Sequence, residues 1–542
     1  MKTSLLQNEP HMTFHKERRH RKVIFKRRTM APSSSSSAAP SETFERLLYG
    51  GQRTRRPGFI TEDSTVAESA PIDPVSGTIS SPYTMSTKTA RMSMIPDLFT
   101  QLPPCRDLHM TESSQAQDET IQECLPFLSG VDSDVEYNDH GVPRLARSRH
   151  IAFLHKSLGR LPAGYVAADA SRPWMFYWAL NGLVTMGEDV SGYQERVINT
   201  VRPIQNETGG FGGGNGQMSH LAPTYAILLS LAIVGGTEAF DLIDRKSMWK
   251  WLSALKQPDG GFQMSIGGEE DVRGAYIAAV IITLLDIPLE LHSDSPAWSR
   301  EGSTLLTGLP EWISRCQTFE GGMSARPDVE AHGAYAFCAL ACLSILGDPH
   351  EVIPKYLDVP LLISWLSARQ YAPDSGFSGR TNKLVDGCYS HWVGGCWPLL
   401  EACLNGTKSS SQRLASITSD GKLYSREGLI RYILCCCQDQ SKRGGLRDKP
   451  SHSSDSYHTC YVLAGFSSAQ NNWHYNNQTS KVGPGGSGGP LTSAFQWISE
   501  PIIEKSQIFD EGDRIGTLHP VFAIPEGTAE EMRAYFASKG GF

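Results

Sequence analysis

Apolar residues gather along this chain in blocks, and glycine introduces each block. GGFGGGNGQMSHLAPTYAILLSLAIVG starts at Gly209, and GGFQMSIGGEEDVRGAYIAAVIITLL starts at Gly260. GGMSARPDVEAHGAYAFCALACLSILG follows from Gly321, SGFSGRTNKLVDGCYSHWVGGCWPLL from Ser375, and GGLRDKPSHSSDSYHTCYVLAGFS from Gly444. Each opens on Gly-Gly or Ser-Gly, crosses a polar loop, and enters an apolar segment that carries Tyr. The starts lie roughly 50 to 70 residues apart, room for two helices per unit. The partner helices show in MWKWLSALKQPDGG from Met248 and VPLLISWLSARQYAPDSGF from Val359, with apolar residues at helical spacing and Pro/Gly stops. The chain is therefore predicted to be all-α, a repeated helix–Gly turn–helix unit. Such units stack into a solenoid or close into a toroid, and the pattern alone leaves both open.

The flanks read differently. Residues 1–90 are expected to be a disordered extension: a basic run, then APSSSSSAAPS, then Ser/Thr/Pro-rich sequence, with Met12 and Met30 as alternative starts. KVGPGGSGGP lies within an expected flexible linker over 476–495, and 496–542 is expected to pack on or near the repeats. The repeats themselves fall within 91–475.

Net charge refines this picture. The 542 residues carry -7, while HKERRHRKVIFKRR, from His15 to Arg28, has eight Lys/Arg against one Glu. The remainder is acidic, which argues against nucleic-acid binding. The longest apolar run, Ala275 to Ile287, falls short of the roughly 18–20 residues a membrane span needs, so no stable membrane insertion is expected. The twelve cysteines sit mostly in apolar helical stretches and no secretory signal opens the chain. Reduced thiols in a cytoplasmic protein are expected.

If the repeats stack in register, their polar loops meet at one end. The residues gathered there are His220; Arg273 and Tyr276; His332 and Tyr335; Arg380, Lys383, Asp386, Cys388 and Tyr389; Asp448, Tyr457 and His458. Asp386 and Cys388 with His458 are acceptable zinc ligands, and three protein ligands leave one position open. The bland alternative is a buried thiol and a hydrogen-bonded core histidine. Arg380 and Lys383, beside His332 and Tyr389, suit a phosphate or diphosphate; the alternative is a solvated loop. Trp174 and Trp178 share a helix face near Tyr177, as core packing or as a wall for a long apolar ligand.

The stretches DASRPW, HLAPTYA, EDVRGAY, EAHGAYAFC, GRTNKLVDGCYS, GGLRDKP and DSYHTCY together resemble the protein prenyltransferase β-subunit family, over about Asp169 to Phe466. The resemblance implies an α/α barrel of about six helix pairs around an apolar cavity. It implies a zinc ion on Asp386, Cys388 and His458 that binds the cysteine thiol of a C-terminal CaaX motif. It implies transfer of a prenyl group to that thiol, forming a thioether, with Tyr389 and Lys383 also acting in catalysis. The diphosphate would meet His332, Arg380, Lys383 and Tyr389. The isoprenoid would meet Trp174, Arg273, Tyr276, Cys338 and Trp392, and the peptide tail Trp174, Trp178 and Tyr457. Implied partners are an obligate α subunit, farnesyl diphosphate, and CaaX-tailed proteins such as small GTPases.

Within the family, a Trp at 174 favours the 15-carbon farnesyl chain on volume. Asp448 matches the carboxylate that farnesyl enzymes use with Mg²⁺. Ala334, where Gly is usual, and His391, where an apolar residue is usual, depart from the family pattern. The competing readings are a geranylgeranyl-transferring β subunit, a terpene cyclase, whose D-x-D-D acid motif is absent, and a non-catalytic helical scaffold.

Overall fold

The computed structural model describes residues 95–103, 109–130, 135–300, 302–406, 423–476, 491–503 and 507–539. The expected N-terminal extension and most of the Gly-rich linker lie outside these residues. After α1 (Glu112–Leu128), the main helices of the described residues run as six outer–inner pairs, with short helices such as Thr237–Asp241 and Pro349–Tyr356 in the connections. The first three pairs are α2 (Arg147–Ser157) with α3 (Arg172–Thr185), α4 (Gln194–Val201) with α5 (Leu221–Val234), and α6 (Arg245–Leu255) with α7 (Val272–Leu284). Next come α8 (Leu309–Arg315) with α9 (Gly333–Leu346), and α10 (Val359–Ser367) with the broken helix α11 (Tyr389–Trp392) and α12 (Cys396–Asn405). The sixth joins α13 (Arg426–Arg431), continued by a π-helical turn to Cys437, with α14 (Ser456–Gln470).

The two layers follow from composition. The inner helix α5, LAPTYAILLSLAIV, is apolar all round and nearly every residue is buried. A helix of that kind must be covered on every side. The outer helix α4, QERVINTV, buries only Val197, Ile198 and Val201, one stripe against the inner layer. Each inner helix packs on the next, and α14 packs back on α3. The ring is closed, so the structure is a toroid and not a solenoid.

The glycine pairs have a geometric task. Gly260 sits at φ +103°, and a Cβ there would lie 2.0 Å from the Gly308 carbonyl oxygen at the start of α8. Gly321, at φ +99°, abuts Leu361 of α10 in the same way. Only a residue without a side chain lets each turn touch the next outer helix.

The loops are also laced together. The first N–H groups of α5, α7 and α9, on Leu221, Val272 and Gly333, donate to the carbonyls of Met264, Ala325 and Gly379 in the following repeat. Gly387 donates likewise to Asp448. These bonds satisfy amides that a helix start leaves orphaned, and they hold the loops in register.

The C-terminal part departs from expectation in two ways. A short antiparallel sheet, β1 (Asn471–Tyr475) with β2 (Trp497–Pro501), pairs Tyr475 with Trp497. The linker expected over 476–495 ends early, because Ala494 and Phe495 are buried against α9. Beyond β2 the chain passes beneath the ring, where the helices finish. Gly516 N–H donates to Thr185 O, Asn181 Nδ2 to Ala523 O, and Arg533 to Thr283 O. Val521, Phe522 and Ile524 are fully buried there. Among the described residues no helix is long and apolar enough to cross a membrane.

Candidate active site

The site lies where the inner helices start, at the end opposite the C-terminal segment. In four repeats the residue before the inner helix caps it. His220 accepts from Ala222 N–H, Asp271 from Arg273, His332 from Ala334, and Asp455 from His458. Asp386 takes the same place in the fifth repeat and accepts from Cys388 N–H at 2.9 Å. Capping explains why polar side chains recur at these positions, and ring closure brings them together.

Asp386, Cys388 and His458 are buried, and their ligand atoms all lie within 4.8 Å of one another. His458 Nδ1–H donates to Asp455 Oδ2 at 2.7 Å. This fixes the ring and turns Nε2 toward Asp386 Oδ1, 3.3 Å away. Nε2 makes no directed hydrogen bond in this position. Burial works against charge on both groups. Even so, His458 holds the Asp386 carboxyl well below its usual range, and Asp455 with Asp386 holds the imidazole well above its own. Burial and the Asp386 charge push the Cys388 thiol up. A buried carboxylate, a thiol two residues on, and an imidazole nitrogen lacking a directed bond, oriented by a second carboxylate, fit the donor set and outer support of a metal ion.

Beside this group, Ala334 N–H donates to His332 Nδ1, so the neutral ring carries its proton on Nε2, assigned from the hydrogen-bond network. That Nε2–H donates to the Tyr389 hydroxyl at 3.0 Å. Burial and the cations Arg380 and Arg273 push His332 down to about 4, so it is neutral near pH 7. Tyr389, raised by burial and by Cys388, keeps its proton. Its O–H therefore remains available as a donor. A Cβ on Gly379 would collide with the Tyr389 ring, at 2.1 Å. Arg380 is half-buried and paired with Glu330. Lys383 is exposed on the same turn.

Asp448 Oδ2 accepts from Lys449 at 2.9 Å, and Oδ1 lies 3.1 Å from His452 Nδ1. Neither partner was evident from sequence. Asp455 also escaped notice, although its place before α14, matching His220, Asp271 and His332, could have signalled it.

Aromatic rings form a closed belt inside the toroid. Tyr457 contacts Trp178 at 5.3 Å, Trp178 stacks on Trp174 at 5.6 Å, and Trp174 meets Tyr225 at 5.9 Å. Tyr225 meets Tyr276, Tyr276 meets Phe337, and Phe337 meets Trp392 at 5.8, 5.9 and 5.8 Å. Trp392 returns to Tyr457 by a hydrogen bond from Nε1 at 3.1 Å. Every inner helix contributes a ring. Tyr225, absent from the sequence reading, bonds Tyr276, which donates to the Val521 carbonyl at 2.7 Å. Cys338 is buried in the wall. Arg273 is locked to Asp271. His391 is buried near Phe337 and Tyr461, and burial pushes it down to about 3, so it does not titrate near neutrality.

Comparison with known proteins agrees with this arrangement. Residues 145–524 match the prenyltransferase alpha-alpha toroid domain. The chain is 58% identical over 453 residues to protein farnesyltransferase subunit beta of Pyricularia oryzae, covering 83% of this chain and 85% of that protein. It is 37% identical over 430 residues to the subunit of the same name from Schizosaccharomyces pombe, covering 79% and 98%. Candida albicans protein geranylgeranyltransferase-I complexed with GGPP shares the fold, with a TM-score of 0.52 at 21% identity, covering 72% of this chain and 98% of that one. A closed toroid with the three-ligand group at its helix starts, matched over most of its length by these relatives, belongs to the protein farnesyltransferase β-subunit family of prenyltransferases.

Proposed function

We propose that this chain, with an α subunit, transfers the farnesyl group of farnesyl diphosphate to the cysteine thiol of a C-terminal CaaX motif. The observation that carries this reading is the aromatic belt reaching the ligand group: Tyr457 belongs to the belt and its ring centroid lies 5.0 Å from that of His458. An apolar chain and a thiol would therefore meet at one point. Asp386, Cys388 and His458 would hold zinc. When bound, zinc supplies a site that keeps a substrate thiol as thiolate near neutral pH.

The remaining steps fall to the protein's own groups. Trp174, Tyr276, Cys338 and Trp392 would line the isoprenoid, with Arg273 at the rim, while Trp174, Trp178 and Tyr457 would face the peptide tail. As the substrate sulfur bonds to C1 and the C1–O bond breaks, charge grows on the diphosphate. Arg380, Lys383 and the Tyr389 O–H would receive it, with His332 orienting Tyr389. Asp448 would support Mg²⁺ at the diphosphate. The protein substrates would be CaaX-tailed proteins, such as small GTPases, met in the cytoplasm.

A geranylgeranyl donor is the second reading, favoured by a 29% identical relative named geranylgeranyl transferase type-1 subunit beta from Arabidopsis thaliana. Donor competition separates the two. The chain would be co-expressed with a prenyltransferase α subunit and given both diphosphates, a CaaX peptide, zinc and Mg²⁺. Zinc-dependent farnesyl transfer is expected. Preference for the longer donor would overturn the assignment of the donor, and no transfer by a stable, zinc-loaded heterodimer would overturn the chemistry.

A further inference from the structure

Arg380 does not wait for an anion with its charge unbalanced. Its guanidinium is paired with Glu330, which stands two residues before the cap His332. Its side chain is 29% exposed and that of Glu330 is 56% exposed. The neighbouring pair differs. Arg273 holds Asp271 through Nε and a terminal nitrogen at 2.9 and 2.7 Å, with side-chain exposures of 10% and 5%. Separating that pair would strand two buried charges, which costs several kcal/mol. Separating the solvent-touched pair costs little, because its Coulomb attraction is weak and water takes up the freed carboxylate. The local field adds to the contrast. His332 is neutral beside Arg380 and Arg273, and Arg273 is already held by Asp271, so the ring adds no positive charge of its own beside Arg380.

We infer that Glu330 is a resident counterion that holds Arg380 in place and competes with the diphosphate for it, easing release of the product diphosphate. The inference rests on the reading of Arg380 as a diphosphate contact. Glu330 is a positioning residue: it acts through Arg380 and touches no reacting atom. The Glu330 carboxylate takes one terminal nitrogen of Arg380 through one oxygen, a donor that a phosphate oxygen also takes, so the guanidinium is kept aimed while its other N–H groups stay open to the anion.

Inorganic diphosphate is the probe. Its inhibition constant would be measured on the zinc-loaded heterodimer for the native protein, Glu330→Gln, Glu330→Asp, Arg380→Gln and the double variant Glu330→Gln/Arg380→Gln. Zinc content and unfolding temperature would serve as folding controls. Glu330→Gln is expected to tighten inhibition about two- to fivefold, the scale of one exposed ion pair, and to slow diphosphate release correspondingly. Glu330→Asp is expected to restore most of the native value, and Arg380→Gln to weaken inhibition. In the double variant the gain should vanish. If Arg380→Gln leaves inhibition unchanged, the diphosphate reading fails and this inference with it. If Arg380→Gln weakens inhibition while Glu330→Gln leaves it unchanged or weakens it, only the counterion role fails. A gain that persists in the double variant also overturns it, since the effect then does not pass through Arg380.

Discussion

Gly387, which separates Asp386 from Cys388, donates its N–H to the carbonyl of Asp448 at 2.8 Å. One bond thus ties the two candidate ligands flanking Gly387 to the repeat that carries the third, His458. A Cβ at Gly387 would lie 2.6 Å from the Arg447 carbonyl and 2.8 Å from Val462. Gly387→Ala is expected to cost about 1–3 kcal/mol through overpacking and to lower zinc per heterodimer. Urea unfolding and elemental analysis on one preparation would check both.

Asp455→Asn keeps an oxygen to cap α14 but loses the charge that orients His458. Metal affinity is expected to fall about 10- to 100-fold, with helix content unchanged. Competition against a chelator of known affinity measures this directly.

Tyr389→Phe removes the hydroxyl that His332 supports. The single-turnover rate of chemistry is expected to drop about 10- to 100-fold, while affinity for farnesyl diphosphate changes little. A loss confined to affinity would place Tyr389 outside the transition state.

Trp174 fills the lumen between Trp178 and Tyr225. Trp174→Thr is expected to admit the 20-carbon donor and raise its share of product at least about tenfold, as volume arguments require. Unchanged donor choice in the competition assay would mean that another wall sets the depth.

Lys256 is buried and donates to the Gly260 carbonyl. Gln317 makes the matching bond to Gly321 in the next repeat. Burial pushes Lys256 from 10.5 down to about 7. Between those values the unfolded chain binds a proton that the folded chain does not, so this group makes stability rise with pH from about 7 to 10.5. Lys256→Gln is expected to flatten that rise and to gain about 1 kcal/mol at pH 7. Thermal unfolding across this range decides the matter.

The repeat and its convergence were readable because Gly pairs and apolar helices recur in fixed order. The same order placed Asp386 and Cys388 near His458. What escaped was set by distant partners. Nothing near Tyr276 announces a bond to Val521, 245 residues away. The partners of Asp448 could not be read from sequence, because Lys449 and His452 reveal their direction only after the turn folds. The sheet joining Asn471–Tyr475 to Trp497–Pro501 was hidden by the Gly-rich stretch between its strands. Lys383 was grouped with Arg380 by spacing, and the turn leaves it in solvent.

The segment beneath the ring carries a further consequence for biogenesis. Its carbonyls at Val521 and Ala523 receive Tyr276 and Asn181, so the inner wall is finished by residues that follow every helix of the ring in the chain. Until that segment has been made, the nascent ring exposes surface that it covers in the folded chain, and its closing contacts, 245 residues apart for Tyr276 and Val521, are of long range and slow to form. Production of active subunit should therefore depend on chaperone capacity during synthesis, and a nonsense codon shortly before Val521 should yield aggregated protein instead of a weakened enzyme.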